Sequence, residues 1–215
     1  MKNQFSFLRI VLLGFSLMVA AATAQAATVG KDYTLLNPPQ PTESGNKVEV
    51  IEFFYYGCPH CFNLEPALEA WRKKLPADVA FRRVPGVFRD SWMPLTKLYY
   101  ALEAMGLTEK LHGDVFNAIH VENTDLGTDK AIIDWVAKRG VDRNKFTATF
   151  NSFAVQNKAQ RARAMTQSYG IQGVPTLVVD GKYVTSSGQA GGHDGVMKTV
   201  DELIALARGE RSKKR

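Results

Sequence analysis

One stretch limits the folds open to this chain. Val50-Ile51-Glu52-Phe53-Phe54-Tyr55-Tyr56 is apolar and aromatic except for one acid, and it stops at Gly57-Cys58-Pro59-His60-Cys61. A short run of β-branched and aromatic residues predicts a buried strand, here spanning Lys47 to Tyr56. A helical pattern starts at once with Phe62-Asn63-Leu64-Glu65. The two cysteines therefore fall at a strand-to-helix junction, with Cys58 at the helix N-terminus. Free backbone N–H groups and the positive end of the helix dipole favour an anion there, and so a thiolate over a thiol. Pro59 suits the first helical position, where its missing N–H costs nothing. His60 can place a second positive or donating group beside the sulfur.

Cysteines at i and i+3 on one helical turn are close enough to bridge, so the pair can cycle between dithiol and disulfide. The division of labour that exchange requires is then expected: Cys58, more exposed, attacks or is attacked, and Cys61, one turn in, resolves the mixed disulfide. Two blander readings compete. A CxxC can be half of a zinc site, but tetrahedral zinc takes four ligands. The chain has only two cysteines, and His112, His120 and His193 lack the usual spacing. No metal or other cofactor is expected. A purely structural bridge across so short a loop would restrict the unfolded chain little. Redox use is the favoured reading.

The address of the chain bears on that choice. Lys2 and Arg9 precede an apolar run from Ile10 to Ala22, broken by Ser16, and Ala24-Gln25-Ala26 follows as a small-x-small site. This pattern predicts a secretory signal peptide over residues 1–26, cleaved after Ala26 or, next, Ala27; an uncleaved anchor is the competing reading. An exported chain with no further cysteines carries no disulfide frame, so its one pair is there for use. The formal net charge of +6 is scattered except at Arg211-Ser212-Lys213-Lys214-Arg215. Residues 209–215 read as a solvated, disordered basic tail, and no nucleic-acid partner is expected.

The 215 residues suffice for one domain with a sizeable core and an insertion. Lys31 to Leu36 reads as a short edge strand, and Asn37-Pro38-Pro39-Gln40-Pro41 as an extended connector. The helix from Cys58 runs to about Lys74, with Leu64, Leu68, Trp71 and Leu75 as its apolar stripe and a kink expected at Pro66. Val79 to Val84 is a second strand, which makes a parallel β-α-β unit. Helical spacing then fills Asp90 to Asn157, in segments Ser91–Met105, Thr108–Val121, Thr128–Arg139 and Val141–Ser152. Gly106, Gly127 and Gly140 separate them, and Asp142 is placed to cap the last. A long helix from Phe153 to Tyr169 follows. Leu177-Val178-Val179 and Lys182 to Thr185 form a hairpin across Asp180-Gly181. An amphipathic helix from Asp194 to Arg208 closes the chain.

Glu52-Phe53-Phe54 followed by Cys58-Pro59-His60-Cys61 resembles the DsbA family of periplasmic thiol oxidases. The helical stretch and Val174-Pro175-Thr176 before the hairpin extend that resemblance over nearly the whole mature chain. It implies an α/β architecture, a thioredoxin-like fold with a helical domain inserted after the first β-α-β unit. The thioredoxin-like part would be residues 27–89 and 158–208, and the insertion residues 90–157. It implies that Pro175 is cis beside the disulfide, leaving the Val174 backbone free to pair with an extended substrate; an ordinary trans proline is the alternative. Valine before this proline matches the oxidases, and threonine their isomerase relatives. It implies that Glu52 lies beneath Cys61 and helps move its proton, with Lys47, Arg82 or Arg83 as charge partner, unless Glu52 faces a solvated edge. Gly57 sits where some members carry a bulky aromatic.

The activity so implied is a thiol:disulfide oxidoreductase. It would donate the Cys58–Cys61 disulfide to reduced, folding secreted proteins in the periplasm. It would act as a monomer and be reoxidised by a DsbB-like quinone-linked membrane oxidase. Helix-terminal and CxxC cysteines titrate between roughly 3.5 and 7.5, with DsbA itself at the low end. A disulfide whose reduced form is so stabilised is a strong oxidant. An isomerase or reductase of the same fold and a peptide-binding chaperone are the rival readings.

Overall fold

The computed structural model describes residues 27–213. The expected signal peptide, residues 1–26, lies outside the described residues, as do the last two positions of the basic tail. Strand β2, Val48–Phe54, is buried at every position. Its neighbours explain why. It pairs in parallel with β3 (Val79–Pro85) on one side and antiparallel with β4 (Thr176–Val179) on the other. Val48 and Val50 pack with Leu64, Leu68 and Trp71 of helix α1 (Pro59–Arg72) and with Val196, Val200 and Leu203 of the closing helix. Ile51 and Phe53 belong to the opposite layer, with the inserted helices. A strand covered on both faces carries apolar residues at successive positions, as this one does apart from the buried acids Glu49 and Glu52. The run leaves the sheet sooner than expected: Tyr55 and Tyr56 enter a turn, closed by the Cys58 N–H on the Tyr55 carbonyl at 3.0 Å.

The full sheet order is β1-β5-β4-β2-β3, with β1 at Thr34–Leu35 and β5 at Tyr183–Thr185. β1 is the short edge strand the sequence predicts. The β4–β5 hairpin turns at Asp180 and Gly181, which both adopt positive φ, 53° and 65°. That conformation suits Asp-Gly, and Lys182 N–H closes the turn on Val179 O at 3.0 Å.

Between β3 and β4 run helices α2 (Met93–Ala104), α3 (Thr108–His120), α4 (Asp129–Lys138), α5 (Arg143–Phe150) and α6 (Phe153–Ser168), after a single 3₁₀ turn at Asp90–Trp92. Local chemistry sets their starts. Thr128, Asp142 and Ser152 each accept a backbone N–H of the following helix. Ser152 thus ends the expected Val141–Ser152 segment early, because it caps α6. Two X-Pro bonds are cis, Asn37–Pro38 in the connector and Val174–Pro175.

The chain end needs a correction. Helix α7 runs His193–Lys213, not to Arg208, so residues 209–213 are helical and not a disordered tail. Tertiary partners hold them. Arg211 grips the Asp180 carboxylate, with Nε at 3.0 Å from Oδ1, and Glu210 accepts the Tyr183 hydroxyl at 2.6 Å. No helix among the described residues is long and apolar enough to cross a membrane.

Candidate active site

Cys58 is the N-cap of α1, with extended backbone (φ −93°, ψ 115°), and Pro59 opens the helix. Both cysteines are free thiols; Cys58 is half-buried and Cys61 fully buried. Their environments drive them apart. The Cys61 thiol hydrogen-bonds the Cys58 sulfur, the backbone N–H groups of Cys61 and His60 point at it, and the His60 charge adds to them. Together these outweigh burial and hold Cys58 down at about 6. Cys61 is pushed far up, first by burial, then by its bond to Cys58 and by the nearby Glu52 charge.

The cis Val174–Pro175 bond brings a second segment to the sulfur. Cys58 Sγ lies 3.3 Å from the Val174 carbonyl oxygen. His60, Val174 and Pro175 line one open groove of about 820 Å³, with Leu35, Leu36 and Ile171 as apolar lining.

Beneath the pair, Glu52 is fully buried. Its Oε2 accepts from Arg83 Nε at 3.0 Å, and its Oε1 has no hydrogen-bond partner among the described residues. Burial raises this carboxyl to about 8, although Arg83 pulls the other way. Burial prevails for a reason visible in the geometry. Arg83 is shared: its Nη2 also lies 3.1 Å from Glu65 and 2.7 Å from Glu69. One guanidinium among three acids cannot compensate them all.

Comparisons with known proteins give the family of the chain. A family described as "DSBA-like thioredoxin domain" matches residues 83–196. The thiol:disulfide interchange protein DsbA of Pseudomonas aeruginosa is 42% identical over 198 residues, 92% of this chain and 94% of that protein. Its namesake in Burkholderia cepacia is 42% identical over 212 residues, 98% of this chain and all of the other. The crystal structure of Pseudomonas aeruginosa DsbA superposes with a TM-score of 0.83 at 41% identity, covering 88% of this chain and 97% of that one. The chain belongs to the DsbA family. It is an α/β thiol–disulfide oxidoreductase with a thioredoxin-like fold and added helices.

Within this DsbA-type site Cys58 meets Val174 next to Pro175, Pro59 and His60 follow Cys58 at the exposed start of α1, and Cys61 and Glu52 are fully buried, near enough for the Glu52 charge to act on the Cys61 thiol. It rejects the solvated-edge position for Glu52 and selects Arg83 among its three candidate partners. Arg82 holds a different acid, Glu49, at 3.3 Å. The residue-by-residue reading overlooked Glu49, which is fully buried and also takes the Glu43 N–H and the Ser44 hydroxyl. It overlooked Glu65 and Glu69 as well, although their i, i+4 spacing on α1 puts both on one face, over β3.

Proposed function

We propose that Cys58 and Cys61 are the redox centre and that the protein donates their disulfide to reduced, folding proteins exported to the periplasm. The observation that carries this reading is the placement of two thiols one helical turn apart, Cys58 half-buried at the N-cap of α1 and 3.3 Å from the Val174 carbonyl, Cys61 buried behind it in the helix. That placement lowers the first thiol and raises the second. A substrate thiolate attacks Cys58 Sγ and the intramolecular S–S bond breaks. The electron pair goes to Cys61 Sγ, which takes a proton from Glu52. A second substrate thiolate then attacks the substrate sulfur of the mixed disulfide. Cys58 leaves as a thiolate, and its low pKa makes it a good leaving group. The substrate ends as a disulfide and the protein as a dithiol.

Pro59 and His60 help hold and charge the site, and the Val174 backbone pairs with the extended substrate beside Pro175. Return to the disulfide requires a two-electron acceptor, for which a DsbB-like quinone-linked membrane oxidase is the proposed partner. The protein acts as a monomer, with residues 1–26 removed on export. The thioredoxin-like part is residues 27–89 and 158–208, continued by α7 to Lys213, and the helical insertion residues 90–157.

The test is the equilibrium of the Cys58–Cys61 pair with glutathione, with thermal melting of both forms. A strongly oxidising disulfide and a more stable reduced form are expected. A disulfide that resists reduction and stabilises the fold overturns the oxidase reading, and a Cys58→Ser variant with full cellular function overturns any redox role.

A further inference from the structure

Three residues of α3 converge on one residue of the active-site turn. His112, Phe116 and His120 are spaced i, i+4, i+8 and so share a helix face. All three meet Tyr56, which is fully buried and stands two residues before Cys58. His112 Nδ1 lies 2.8 Å from the Tyr56 hydroxyl. The Phe116 ring packs edge-on against the Tyr56 ring, centroids 5.1 Å apart. His120 Nε2 lies 2.7 Å from the Tyr56 carbonyl oxygen, while its ring stacks on Phe62, the residue after Cys61.

The hydrogen-bond roles are fixed by chemistry. A carbonyl only accepts, so His120 Nε2–H donates. His112 Nε2 faces Glu65 Oε1 at 3.3 Å, and Glu65 is paired with Arg83. One neutral tautomer, protonated on Nε2, satisfies both neighbours: it donates to Glu65 and accepts from Tyr56 O–H. Tyr56 is thereby held at its hydroxyl, its ring and its carbonyl.

Tyr56 is a central residue of the turn that Cys58 N–H closes on Tyr55 O. The tilt of that turn sets where the Cys58 sulfur lies relative to the N–H groups of His60 and Cys61. We propose that His112, Phe116 and His120 form a positioning element of the redox site: they fix Tyr56, and through it the turn that aims the Cys58 sulfur. This rests on the reading of Cys58 as the reactive thiol. The added helices thus contribute to the reactivity of the thioredoxin-like part.

The experiment compares the mature protein with His120→Phe, His120→Gln and Tyr56→Phe. Phenylalanine keeps the stack on Phe62 but has no N–H; glutamine restores a donor. The readouts are the thiolate absorbance titration of Cys58, the glutathione equilibrium and the melting temperature. The expected result for His120→Phe is a Cys58 midpoint higher by about one pH unit and a disulfide about tenfold less oxidising. His120→Gln returns both toward the parent, and Tyr56→Phe shifts both the same way by less. Unchanged thiolate and glutathione equilibria in His120→Phe, whatever the melting temperature, overturn the proposal. So does a His120→Gln variant as altered as His120→Phe. An ordinary Cys58 thiol in the parent protein overturns the redox-centre reading itself, and this proposal with it.

Discussion

Gly86 and Val174 approach so closely that no side chain fits between them: a Cβ on Gly86 would lie 2.9 Å from Val174 Cγ1. Gly86 cannot easily back away, because its N–H is bound to the Phe54 carbonyl at 2.7 Å. The loop whose carbonyl meets Cys58 is therefore seated on a bare backbone at the end of β3. Gly86→Ala should push Val174 off the sulfur, at a stability cost of about 1–3 kcal/mol for the overpacking. Oxidation of a reduced peptide should slow several-fold. Adding Val174→Ala removes the clashing methyl, so denaturant titration of the four proteins in the cycle should show a favourable coupling of about 1 kcal/mol. Strict additivity would show that the loop does not rest on Gly86.

The raised carboxyl of Glu52 has a stability signature with a definite sign. Folded, it titrates at about 8; its ordinary value is 4.5. Between those values the folded chain keeps a proton that the unfolded chain releases, so folding loses stability as pH rises. The slope is about 1.4 kcal/mol per pH unit; the loss is absent below about pH 4.5 and stops growing above about pH 8. Glu52→Gln should remove it. The comparison belongs in the disulfide form, where Cys58 does not titrate; His112, lowered by burial, then cancels between parent and variant. Urea titrations from pH 4 to pH 9 should show the variant gaining on the parent through that window. A constant difference across it would mean that Arg83 keeps the carboxylate ionised.

How much of this site was legible follows from the range of the interactions involved. The strand, the cysteine junction and the helix start were readable because neighbours in sequence decide them: an apolar run, Pro59 at the first helical position, Asp-Gly at the hairpin. The partner of Glu52 was not. It depends on the β2–β3 register, which sets Glu52 opposite Arg83 and Ile51 opposite Arg82. A slip of one residue would set Glu52 opposite Arg82 or Val84 instead. Glu49 was hidden by a related effect, since both faces of β2 are covered and its acids break no alternation. His112 and His120 lack zinc spacing, yet their eight-residue separation on a helix already puts them on one face. The cis state of Pro175 came from family resemblance, and no local feature announces the cis bond at Pro38.

The last turn of α7 is likewise held by partners distant in sequence. Its composition, rich in arginine and lysine, resembles a solvated tail, yet Arg211 closes on Asp180 with its Nε at 3.0 and 3.1 Å from the two carboxylate oxygens. The Asp180 side chain is only 8% exposed and sits in the turn of the β4–β5 hairpin, next to the strand that follows Pro175. Arg211 Nη1 also reaches the Gly45 carbonyl at 3.1 Å, ahead of β2. Arg211→Ala leaves a nearly buried carboxylate without its charged donor, which costs about 1.5–3 kcal/mol. Lys213→Ala, two residues on at an exposed position, should change stability by less than about 0.5 kcal/mol. A chain ending at Arg208 should melt below the parent by at least as much as Arg211→Ala does. Equal melting temperatures for the parent and the shortened chain would restore the disordered tail and remove α7 from the support of the hairpin.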